Sequence, residues 1–376
     1  MSSRGQPAPC PASATGRRRD LPIAGILLGQ VENGWVRSTD FRTGRGRGCQ
    51  TERVLETAFT ELVGCRVPVQ LAAMGSGVTT PELVTAVCRA GGLGMLQRGG
   101  TRPLAERIEE IERAQAGPFG VNFVPALGQG EPEEVELAAS RARLVEFFWA
   151  DPDPGLVELV HAGGALAGWQ VGSVEEARRA AAAGCDLVVA QGVEAGGHVR
   201  GTVPLLPLLA EVLDAVSVPV VAAGGIASAR STAAALAAGA AAVRVGTRFL
   251  ATPESGAHPD YVAALLAARA EDTVLTTAFS VGWPDAPHRV LASAAAAAES
   301  LDGETAGTLE VDEESRPLPR FAARTPTREV SGRVEAMALY AGTGVGGVRR
   351  VEEAESVVAE LAAGAERLLR RWSGGS

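Results

Sequence analysis

The 376 residues are 46% hydrophobic and 21% charged, a balance that supports a large buried core and excludes a wholly disordered or fibrous chain. A formal net charge of -9 argues against a general nucleic-acid surface, and no run approaches the roughly 18 apolar residues of a spanning helix, so neither nucleic acid nor membrane is expected as a partner. All 35 counted basic residues are arginine, and the lack of lysine removes Schiff-base aldolases, pyridoxal-phosphate enzymes and Walker-type phosphate loops, which each need its amine.

Cys10, Cys49, Cys65, Cys88 and Cys185 are widely spaced, with no CxxC pair and no secretory signal. Neither a zinc site nor a disulfide framework is suggested, no metal is expected, and a reducing, cytoplasmic compartment fits. Residues 1–50 are rich in Gly, Arg, Ser and Pro without periodicity, which predicts a disordered N-terminal extension. The remainder, 51–376, is read as one domain.

From about residue 66, short apolar runs alternate with helical segments, the pattern of parallel strands joined by crossover helices. Strands are expected at 67–73, 93–96, 119–124, 144–149, 165–171, 186–191, 218–223 and 241–246. Helices are expected between them at 81–90, 102–115, 131–141, 154–163, 174–183, 204–215 and 228–238, many opened by Pro, Ser or an acid. Eight strands suit a closed α/β barrel, the (β/α)8 TIM barrel. A doubly wound sheet shows the same alternation, but glycine loops after the last two strands favour the barrel, where such loops commonly bind phosphate. A helix follows at 256–270, then an irregular, cap-like insertion at 272–340, and a packing helix at 350–371 whose arginines cluster near its C-terminus.

Three loops carry candidate chemistry. In AAGGIAS at 222–228 an apolar strand runs into Gly224 and Gly225 and then a helix start near Ser228; this is either an anion cradle or a tight turn with no ligand. In VGTRF at 245–249, Gly246 and Thr247 offer an amide and a hydroxyl beside the first loop, and Arg248 suits a salt bridge. Convergence of the two loops favours a phosphate. QGVEAGGH at 191–198 places Gln191 at a strand tip, three glycines, and then His198, a histidine positioned for proton exchange or for stabilising an anion. Of the other histidines only His288 has a plausible route to the site. Asn122, inside the apolar FGVNFV, is either a ligand contact or a satisfied core amide. Met74, Gly75 and Ser76 end the first strand, where backbone can approach a ring closely.

QGVEAGGH, AAGGIAS and GTRFLATPES, with MGSGVTTPELVTAVCRAGGLGML and GVNFVP upstream, resemble the nitronate monooxygenase family. The resemblance, over about 66–370, implies a barrel that binds FMN non-covalently and oxidises alkyl nitronates (nitroalkanes) with O2 to carbonyl compounds and nitrite. Asn122, Gln191, Gly196, Gly225, Gly246 and Thr247 would hold FMN, with Met74 against the flavin and His198 catalytic on the substrate side. Arg244 departs from the family's usual glutamine, Thr343 departs from another, and the loop at 281–289 is longer than usual. FMN-dependent NAD(P)H reductases of the enoyl-acyl-carrier-protein or quinone type share these motifs and stand as the alternative. The small-molecule substrate's identity and the oligomeric state are not readable from the sequence.

Overall fold

The computed structural model describes residues 55–311 and 314–373; the expected disordered extension at 1–50 lies outside the described residues. Each of the eight apolar runs forms a strand: Val69–Leu71, Gly94–Gln97, Phe119–Phe123, Leu144–Phe147, Leu166–Val171, Leu187–Gln191, Val220–Ala223 and Ala242–Val245. All pair in parallel, each beside its neighbours in chain order, and the last returns to the first. The ring closes between the first two strands, where Leu71 N donates to Leu93 O and Leu93 N donates to Val69 O, both at 2.9 Å. The (β/α)8 barrel is therefore present.

The helices between the strands occupy the expected segments, and short polar side chains cap four of them where the apolar pattern begins. Thr80 Oγ1 accepts from Leu83 N at 3.1 Å to start Pro81–Arg89, and Ser173 Oγ accepts from Glu176 N at 3.2 Å to start Val174–Ala182. Each such cap contributes about 1 kcal/mol. Outward strand residues such as Val121, Phe123, Val145 and Phe147 pack with the helices in the largest cluster. Inward residues Leu93, Met95, Leu144, Leu187 and Val221 plug one end of the barrel together with Phe59. Phe59 belongs to Ala58–Val63, a helix not anticipated because it precedes the alternating pattern; Arg143 holds it by donating to Leu62 O at 2.5 Å.

The 272–340 segment, expected to be irregular, is largely regular. Thr273–Thr276 and His288–Leu291 pair antiparallel, and the second of these also pairs with Gly197–His198 from the loop after the sixth barrel strand. Helix Ala292–Ser300 follows, then a second antiparallel sheet of Thr305–Val311, Glu314–Pro319 and Val330–Gly332. Phe279, Val290, Leu291, Leu309 and Met337 give this segment a core shared with Tyr261 and Leu265 of helix Pro259–Ala267. The last helix, Ala354–Ser373, packs on Ala229–Ala237 and Pro81–Arg89. No helix of the described residues is long and apolar enough to cross a membrane.

The loop that carries His198 is fixed at its far end by backbone meeting backbone, since a Cβ at Gly201 would overlap the carbonyl of Gly172 beyond the fifth strand. Gly201→Ala is expected to lower unfolding stability by about 1–3 kcal/mol through overpacking. Urea denaturation reads it, and an unchanged midpoint would contradict this close approach.

Candidate active site

At the C-terminal ends of the strands lies a cavity of about 380 Å³, within the usual range for small-molecule and cofactor sites. Met74, Asn122, Gln191, Gly196, His198, Gly224, Gly225, Gly246 and Thr247 all line it. They come from five different strand ends, which the barrel brings to one cavity.

The floor is a buried polar network. Glu146 from the fourth strand is fully buried and Arg244 from the eighth nearly so. Arg244 Nη1 donates to Glu146 Oε1 at 2.8 Å and Nη2 donates to Oε2, so each carboxylate oxygen has a donor. Arg244 also donates to Gln170 Oε1 at 2.6 Å and Gln70 Oε1 at 3.2 Å. Asn122 Nδ2 donates to Glu146 Oε1 at 2.9 Å. A carboxylate accepts only, so Asn122 must turn its NH2 toward Glu146, leaving Oδ1 as the acceptor for a ligand. By the same logic Gln170 keeps its NH2 as a donor. Gln191 Nε2 donates to His198 O at 3.0 Å, and its Oε1 is buried without a partner. The floor therefore offers fixed acceptors and a fixed donor together.

The glycine loops form the wall beside the last two strands. Gly224 and Gly225 take left-handed φ values of 117° and 67°, which only glycine adopts at no steric cost. A Cβ on Gly225 would stand 3.2 Å from both Glu194 Cβ and Thr343 Oγ1, and one on Gly246 would stand 3.2 Å from Ala72 Cβ. Thr247 Oγ1 accepts from Gly342 N at 3.1 Å, leaving its hydroxyl hydrogen to donate. Ser228 caps the helix start: with Ser231 it forms a capping box, and Ser231 Oγ also accepts the backbone amides of Ala227 and Ser228. The anion-facing donors are thus left to the two glycine loops. Arg248 turns away to a buried ion pair with Glu352.

His198 is held in an edge strand against His288–Leu291. Its ring stacks on Trp283 at 3.8 Å and 22°, with Trp149 edge-on at 5.8 Å and Tyr340 at 5.5 Å. Trp283 belongs to the long 281–289 loop and lines the cavity. Nε2 of His198 is buried with no hydrogen-bond partner. His288 does not line the cavity: fully buried, it accepts from Phe279 N through Nε2 at 3.2 Å while Nδ1 meets Ala286 O at 2.8 Å. It is thereby fixed as the neutral Nδ1–H tautomer, 5.2 Å behind His198.

Trp283, Trp149, Tyr340, Arg324, Glu146 and Gln170 were not singled out by the motifs. For Glu146 a signal existed, an acid inside the apolar run LVEFFW. The aromatic wall left none, because its rings come from loops far apart in sequence.

Burial, followed by the neighbouring His288, pushes the His198 pKa down from 6.5 to about 3. The unfolded chain then binds more protons than the folded one between about pH 3 and 6.5, so this histidine's contribution to stability is lost as pH falls through that window. The ring Cε1–H resonance of His198 is expected to hold its position from pH 8 to 5, and His198→Asn to weaken the decline in urea stability toward pH 4. A mid-range titration near pH 6.5 would contradict the dry environment.

The sequence profile of nitronate monooxygenase matches residues 56–364. The (3aS,4S,5R,7aS)-5-hydroxy-7a-methyl-1-oxo-octahydro-1H-indene-4-carboxyl-CoA dehydrogenase of Rhodococcus jostii is 39% identical over 239 residues, 63% of this chain; the match spans 66% of that relative, just under two thirds. Among solved structures, nitroalkane oxidase from Streptomyces ansochromogenes aligns with a TM-score of 0.66 and 31% identity over 84% of this chain and 99% of its own. FabK from Thermotoga maritima aligns with a TM-score of 0.70 and 28% identity over 85% and 99%. With the profile spanning most of the barrel and its cavity, the chain belongs to the nitronate monooxygenase family of flavin-dependent oxidoreductases.

Proposed function

We propose that the chain binds FMN non-covalently in this cavity and oxidises alkyl nitronates with molecular oxygen to carbonyl compounds and nitrite. The observation that carries the reading is one cavity lined both by a side-chain-free glycine cradle and by a neutral, unpartnered His198. The residues fit the cofactor. Gly224, Gly225, Gly246 and Thr247 leave room and donors for a phosphate without a lysine. Asn122 Oδ1 and the Gln170 NH2 supply an acceptor and a donor suited to the N–H and a carbonyl of a flavin's pyrimidine edge, and Met74 supplies a soft apolar contact.

When bound, FMN would supply the redox chemistry that carries electrons from nitronate to oxygen, and that chemistry is the cofactor's. The protein orients and desolvates. His198 starts neutral in a dry pocket, where an arriving anion favours its protonated form and a neutral nitroalkane can hand it the carbon-bound proton, forming an ion pair in place. The aromatic wall of Trp283 and Trp149 excludes water from that exchange.

The visible spectrum of the purified protein is expected to show flavin bands that bleach when propyl-1-nitronate is added without oxygen. Absent bands would remove the cofactor reading. Intact bands that bleach instead with NADH or NADPH would favour a second reading, a flavin-linked reductase, which draws its support from the likeness to FabK across 85% of the chain.

His198→Asn is expected to lose on the order of 100-fold or more of the activity on neutral nitroalkanes while keeping most of the activity on preformed nitronate. Steady-state oxygen consumption separates the two, and equal losses on both substrates would reject the role of base.

A further inference from the structure

Two guanidinium groups line the cavity, Arg244 and Arg324, and they are wired in opposite ways. Arg244 is answered by both oxygens of Glu146. Arg324, on the stretch between Glu314–Pro319 and Val330–Gly332, forms no ion pair among the described residues. Its Nη2 donates to Ser76 O at 3.3 Å, while its Nε is buried with no partner. Glu329 acts on it only as a charge at a distance, and burial favours its neutral form. No aspartate or glutamate lines the cavity among the described residues, and His198 is neutral there.

The cavity thus carries one uncompensated positive charge, and that charge is held in place. Thr325 N donates to Ser76 Oγ at 3.2 Å, and Ser76 itself takes a left-handed φ of 61° in the loop that follows Met74. Tyr340, whose ring borders His198, donates its hydroxyl to Ala323 O at 2.8 Å. A positioned guanidinium with an empty buried donor is costly unless a ligand completes it, and its planar fork matches two coplanar oxygens.

We propose that Arg324 is the anion-recognition residue of the cavity, binding a planar two-oxygen group, a carboxylate or a nitronate, on a small organic substrate. The assignment rests on the reading of this cavity as the substrate site and adds the residue that selects charge.

The test begins with binding rather than turnover, on the purified protein as isolated. Butyrate and its neutral isostere butyramide are titrated by tryptophan fluorescence, with Trp283 in the cavity wall as a reporter. In Arg324→Gln the butyrate dissociation constant is expected to rise about 10- to 100-fold with butyramide unchanged. Arg324→Lys should recover part of the affinity, since it returns the charge without the fork, and its recovery shows that loss in the glutamine variant is not misfolding.

Steady-state kinetics then separate the two sources of the anion. A rise in KM for propyl-1-nitronate in Arg324→Gln assigns the contact to the nitronate itself. A rise confined to the nitronate of 4-nitrobutyrate assigns it to a distal carboxylate. Unaltered butyrate affinity together with unaltered KM for both nitronates overturns the proposal. Loss of butyrate binding in a protein that proves colourless would sustain this proposal while failing the flavin reading.

Discussion

The organisation of the cavity depends on one buried charge. Glu146 has no exposed surface, and an ionised carboxylate survives there only if its oxygens are paired and hydrogen-bonded. Arg244 supplies that pairing from the far side of the barrel and Asn122 adds another donor. A buried ion pair of this kind is weak evidence for stability, because desolvation offsets most of the attraction. Its consequence here is polarity. With Glu146 charged, Asn122 can point only its oxygen at a ligand, and with Arg244 donating to its Oε1, Gln170 can point only its nitrogen. The charge therefore fixes the hydrogen-bonding pattern of the floor without touching what the floor binds.

That logic also explains which parts of the molecule were legible in the sequence. The eight strands were, because a parallel barrel buries both faces of each strand and writes them as apolar runs; so were the helices, whose starts carry Thr80, Ser173 and Ser228. The glycine loops and His198 were legible by position, each just past a strand's C-terminal end. The floor was not. Gln70, Glu146, Gln170 and Arg244 sit one to a strand, and although Glu146 and Arg244 stand out singly, nothing local links them until four strands bring them to one point. The cap failed for a different reason. Gly197–His198 is a two-residue strand with no periodicity of its own, in a glycine-rich loop expected to lack regular structure, and its partner His288–Leu291 lies about ninety residues away. Pairing over such a separation leaves no local trace.

His198 is thereby shared between barrel and cap. The barrel supplies its loop, the Gln191 amide that binds its carbonyl and the ring of Trp149; the cap supplies the strand that pairs with it and the rings of Trp283, Tyr340 and His288. Trp149 faces it from a backbone held at φ 61°, a conformation that costs a bulky residue on the order of 1–3 kcal/mol and persists only when its surroundings over-determine it. Around it stand Trp283, Tyr340 and the neutral His288, so the imidazole meets aromatic faces and little water. The neutrality of His198 is thus a product of the cap, although the residue belongs to a barrel motif.

This division bears on how one scaffold accommodates different substrates. The floor and glycine cradle are set by backbone conformation and by a charge pair sealed inside the barrel, so side-chain changes in the cap do not reach them. Trp283, Tyr340 and Arg324, which line the cavity, all come from the inserted segment after the eighth strand. Under the proposed function, a change of substrate charge requires a change at Arg324 and leaves Glu146, Arg244 and the cradle as they are. A change of cofactor would require the reverse. The related proteins, one a nitroalkane oxidase and another a CoA-ester dehydrogenase, are named for different substrates, and under the proposed function such a difference would be met by cap residues above an unchanged floor.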